Sequence, residues 1–112
     1  MKKYDVNLAG PAIQDLDDIY AYIAFILLEE DTAWSQIGRI EKHIFGLDCL
    51  PERHQLCPYE PWHSLGVRQV PVDNYIVYYV IEQDKALVTV TRIMYAGSNV
   101  GEAKLLEKLQ TK

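Results

Sequence analysis

Residues 67–95 read VRQVPVDNYIVYYVIEQDKALVTVTRIMY. Three runs dense in Val, Ile, Tyr and Thr (67–72, 75–82 and 86–95) suit a pleated, half-buried surface. Asp73-Asn74 separates the first two, and both residues tolerate the positive φ of a two-residue hairpin turn. Gln83, Asp84 and Lys85 form the next turn. Connections this short join antiparallel neighbours, so the segment predicts a three-stranded meander.

Upstream lie two helical patterns. Ala12, Leu16, Ile19, Ile23 and Ile26 recur at spacings of four, three, four and three, which predicts one apolar stripe on a helix over residues 11–28. Pro11 suits its first turn, where a missing N–H costs nothing. Ala33, Ile37, Ile40, Ile44 and Leu47 repeat the spacing, with Asp31 or Thr32 as the expected cap and Pro51 beyond the end. The pair predicts a helical hairpin. Neither stripe can bury itself on the other alone, so both need the sheet. Residues 3–8 alternate weakly and suggest a fourth strand, at an edge. Residues 101–109 carry loose helical spacing, so a short helix or tail over 100–112 is expected. The order is β-α-α-β-β-β-(α): one α+β domain over residues 1–112, its helical hairpin on one face of a mostly antiparallel four-stranded sheet.

Composition sets bounds. Apolar residues make up 49% and charged ones 24% of the 112 residues, enough for a packed core. The longest apolar run, residues 19–28, is ten residues, against about 20 needed to cross a bilayer. Lys2 and Lys3 precede Tyr4 and Asp5 where a signal peptide needs an apolar run, so a cytoplasmic protein with no membrane partner is expected. The net charge of −5 opposes binding to DNA through the overall field. Cys49 and Cys57 are too few for a disulfide scaffold.

His43, Cys49, His54, Cys57 and His63 lie close in sequence but lack the spacing of paired zinc ligands, so neither metal nor cofactor is expected. Ser35, Ser64 and Ser98 have no nucleophile elbow, and no glycine-rich phosphate loop precedes a helix. Asp17 and Asp18 read as a solvated helix face. Trp34, Trp62 and the eight tyrosines suit packing more readily than base stacking. Three of the four arginines, Arg53, Arg68 and Arg92, fall in the loop-and-strand half. Arg92 shares strand parity with Val88, Val90 and Met94, so it needs a buried partner or a ligand. A structural salt bridge to Glu82 or Asp73 is one reading; a ligand contact is the other.

Pro11-Ala12 with Asp15-Leu16 and Ile19-Tyr20-x-Tyr22-Ile23 resembles the start of RelE/ParE-superfamily toxins. So do Leu65-Gly66-x-Arg68, Asn74-Tyr75-x-Val77-x-Tyr79 and Val88-x-Val90-x-Arg92-Ile93-x-Tyr95. The resemblance runs from about Tyr4 to Asn99. It implies the toxin of a type II toxin–antitoxin, or plasmid-stabilisation, module, neutralised by a small cognate antitoxin. RelE-like members are ribosome-dependent mRNA endonucleases, whereas ParE-like members bind DNA gyrase. For RNA cleavage the resemblance points to Arg68, Arg92 and Tyr95 as catalytic candidates, with His63 as a proton carrier. Arg53, His63, Arg68, Arg92 and Tyr95 make up the implied partner surface. Nuclease-type relatives often carry a Gly-Arg-Arg-Asp-like segment after the last strand. Here Ala96-Gly97-Ser98-Asn99 stands in its place, without the arginines. That departure favours a ParE-like toxin acting on a protein such as gyrase. An mRNA interferase acting with the ribosome is the alternative, and a degenerate toxin retaining only antitoxin binding is a third.

Overall fold

The computed structural model describes residues 3–97. Six main elements follow one another: β1 (Asp5–Leu8), α1 (Gly10–Ala21), α2 (Glu30–Phe45), β2 (Arg68–Val72), β3 (Tyr75–Glu82) and β4 (Leu87–Tyr95). The sheet order is β1-β4-β3-β2. The meander is antiparallel as its turns require, and β1 joins it as an edge strand parallel to β4. A two-residue turn closes β2 on β3, with Asp73 at φ 56°. The expected helix at 101–109 lies outside the described residues.

Both helices pack on one face of the sheet. The α2 stripe is buried throughout, from Ala33 to Leu47, against Val70, Val72, Val77, Tyr79, Val88, Val90 and Ile93. The α1 stripe breaks once. Residues Tyr22–Ile26 form a π turn after α1, closed by the Leu27 N–H donating to the Tyr22 carbonyl. The wider turn advances the chain one residue, so Ala24 is buried and Ile26 is 68% exposed rather than continuing the stripe. The α2 cap also differs from the expected Asp31 or Thr32. Glu29 is the cap, with Glu30 and Asp31 in the first turn, where the helix dipole favours acid.

The opposite face of the sheet is covered by the loop before β2. Cys57, Trp62 and Val67 are fully buried there against Tyr78, with Ile76, Val80 and Met94 alongside. Strand β4 carries an irregularity at Thr91. Tyr79 pairs with Val90 and Tyr78 with Arg92, which leaves Thr91 unmatched, its hydroxyl donating to the Tyr78 carbonyl at 3.1 Å. A bulge of this kind resets side-chain alternation. Val88 and Val90 face the helices while Met94 faces the loop, so the parity that groups them with Arg92 does not hold.

Candidate functional site: the cleft at the end of β4

Strand β1 stops at Leu8 because Ala9, Gly10 and Pro11 turn the chain into α1. Its pairing with β4 ends at Val90, and β4 runs on to Tyr95 with no strand among the described residues along that edge. Unpaired edge amides need an acceptor. Asp15, on the second turn of α1, supplies it by accepting the Ile93 N–H at 2.8 Å. The same carboxylate receives the Arg92 guanidinium in a bidentate pair, Nε at 2.7 Å and Nη2 at 2.9 Å. Arg92 is 8% exposed, and these hydrogen bonds raise its pKa further. Its remaining nitrogen, Nη1, is buried without an acceptor.

Arg92 therefore does not pair with Glu82 or Asp73. Asp73 holds Arg39 Nε at 2.6 Å and Gln36 at 3.0 Å, and Glu82 lies 3.8 Å from Lys85. The sequence does hold a signal for Asp15. It falls between Ala12 and Ile19 on the buried arc of α1, so an acid there must meet a donor.

Around the ion pair opens a cleft of about 820 Å³ between α1, the π turn and the ends of β3 and β4. Tyr95 lines it with Tyr22 and Tyr75, neither of which was among the candidate site residues. The Tyr75 and Tyr95 rings meet edge to face, 6.1 Å between centroids. Burial raises the Tyr75 pKa, and the neighbouring Tyr22 and Tyr95 hydroxyls add to the effect.

The other candidates lie away from the cleft, Arg53 and His63 on the segment before β2 and Arg68 at the start of β2. Arg68 Nη1 donates to the carbonyls of His54 (2.7 Å) and Glu52 (3.3 Å). Arg53 donates to the carbonyls of Cys49, Leu50 and Gly46. The buried Tyr79 hydroxyl donates to the Pro51 carbonyl at 2.6 Å. The Arg68 and Tyr79 bonds tie the segment between α2 and β2 onto the sheet, while the Arg53 bonds close that segment on itself. His63 is exposed, with Nδ1 3.1 Å from the Cys57 carbonyl. Among the described residues, no three His, Cys, Asp or Glu side chains converge as a metal-binding set. The structure thus brings Arg92 and Tyr95 together in the cleft and places Arg53, Arg68 and His63 elsewhere.

No helix among the described residues is long and apolar enough to cross a membrane. Solved structures share the fold, among them the following three. The chromosomal ParDE toxin–antitoxin system from P. aeruginosa matches with a TM-score of 0.68 and 19% identity, covering 83% of this chain and 96% of that one. The RelBE2 toxin–antitoxin complex from Mycobacterium tuberculosis gives 0.63 and 18%, covering 88% and 97%. A free-state mutant of the E. coli toxin RelE gives 0.65 and 11%, covering 96% and 98%. No curated protein sequence matches. The profile of the ParE toxin of type II toxin–antitoxin systems (parDE) matches residues 6–100. That match spans most of the length, from within β1 to beyond β4, and the chain belongs to the ParE toxin family.

Proposed function

We propose that this ParE-type toxin arrests growth by binding a protein target, DNA gyrase, and that a cognate antitoxin holds it inactive. The observation that carries the reading is the state of the arginines. Cleavage of RNA by a 2′-hydroxyl needs positive charge free to meet the phosphate as its own charge develops. All four arginines are already held by protein acceptors: Arg92 by Asp15, Arg39 by Asp73, and Arg53 and Arg68 by main-chain carbonyls. The segment after β4 lacks the arginine pair of nuclease-type relatives, and a net charge of −5 opposes an RNA-rich target. An antitoxin partner is supported by the similar ParDE and RelBE2 structures, which are toxin–antitoxin systems.

Two assays on the induced toxin test the reading. Gyrase supercoiling should be inhibited in vitro, with DNA-damage signalling in the arrested cells. Primer extension on a translated message should show no new cuts. A-site cleavage that disappears in Arg92→Ala or Arg68→Ala, with gyrase unaffected, would establish the interferase instead. Normal growth with antitoxin binding intact would establish the degenerate toxin.

A further inference from the structure

The cleft at the end of β4 has capacity that the Asp15–Arg92 pair leaves unused. Its charged lining is Asp15, Asp18 and Arg92. Asp15 and Arg92 neutralise each other, so Asp18, which accepts from the Gln14 side chain at 2.9 Å, leaves the cleft net negative. Tyr22, Tyr75 and Tyr95 contribute three aromatic rings, and Tyr22 and Tyr95 are more than half exposed. Tyr75 and Tyr95 meet edge to face at the mouth of the cleft. Aromatic faces beside a carboxylate attract a cation. In the same wall, Arg92 Nη1 is a buried donor without an acceptor, a costly state that a main-chain carbonyl would relieve.

What surrounds the cleft says what should carry that cation. Leu27 lines it and leads to the hairpin tip, where Phe25, Ile26 and Leu28 are exposed. The acids Glu29, Glu30 and Asp31 follow directly. An apolar patch bordered by acids fits a segment that alternates apolar and basic residues.

We propose that this cleft receives a lysine or arginine side chain from a basic, apolar segment of a partner protein. The cation sits among Tyr22, Tyr75 and Tyr95 with Asp18 as its counter-charge, and a neighbouring carbonyl of the segment accepts from Arg92 Nη1. The proposal rests on the reading that this chain works by binding proteins, and it adds the chemistry of what is bound.

The test uses the full chain with labelled tyrosine rings and two synthetic peptides. One is Ac-Leu-Lys-Leu-Arg-Leu-NH2, and the other has norleucine in place of both basic residues. The basic peptide should shift the Tyr22, Tyr75 and Tyr95 signals saturably, with a millimolar or tighter dissociation constant. The norleucine peptide should bind roughly tenfold more weakly. Asp18→Asn, which lies on the exposed rim and should leave the fold intact, should weaken the basic peptide several-fold and flatten its salt dependence. Equal affinity for the two peptides, shifts at other tyrosines, or no saturation at millimolar peptide would overturn the proposal. Neither gyrase nor ribosome is present, so failure here is distinguishable from failure of the gyrase reading, which the supercoiling assay decides.

Discussion

Asp15 and Arg92, 77 positions apart in sequence, form a bidentate ion pair beside the edge of β4 that runs past β1. The pair joins the first helix to the last strand, and the Ile93 amide shares its carboxylate. Burial makes the arrangement demanding. Each charge gives up its hydration, and the pair holds only while both members and their geometry are present.

Removing one member should therefore cost more than removing both. Asp15→Ala strands a buried guanidinium and the Ile93 amide, and should destabilise by about 3–5 kcal/mol in urea unfolding. The double variant Asp15→Leu with Arg92→Met should recover much of that loss. Growth arrest by a folded double variant would mean that the Arg92 charge serves the fold and not a reaction. A single Asp15→Ala variant as stable as the parent would show that the pair contributes little.

The two helices make contrasting predictions at isoleucine. Ile40 is fully buried on the α2 stripe, so Ile40→Ala should cost about 2–5 kcal/mol. Ile26 follows the same sequence rhythm but projects from the π turn, and Ile26→Ala should stay within about 0.5 kcal/mol. Paired urea melts check both, and similar losses would mean that the π turn is not the solution conformation.

Acid should weaken the fold through His54. Burial, chiefly, holds its imidazole below the ordinary 6.5, and the charges of Arg53 and His43 add to the effect. The folded chain then binds this proton less readily than the unfolded chain, so stability is full above pH 6.5 and falls as the pH drops below it. The carboxyls of Asp73, Glu52 and Glu60 are held low chiefly by hydrogen bonds to Arg39, Gln83 and Ser64, and they add their losses only in more acid solution. Comparing unfolding against pH for the parent and His54→Asn isolates the histidine. The variant should lose less stability just below pH 6.5, and identical profiles would exclude His54 as the cause.

The elements and their order were legible because their causes are local. Apolar spacing makes the α2 stripe, β-branched residues make the meander, and Asp73-Asn74 makes its turn, each within a few neighbouring residues. The family was legible too, since it rests on the order of such short segments. The edge position of β1 followed from its shortness and weak alternation.

Tertiary structure decided what depends on meeting across the chain. The bulge at Thr91 and the π turn after α1 each shift the chain by one residue, and neither breaks the sequence pattern around it. Either shift moves a side chain to another face, which is why Ile26 and Arg92 departed from their expected surroundings. The partner of Arg92 depended on where β1 stops and how α1 crosses the β4 edge beyond it. Tyr22 and Tyr75 are ordinary packing residues when read singly, and only the fold sets them beside Tyr95. Residue type sets what a side chain can do, but the packing of α1 against the end of β4 determines what it meets.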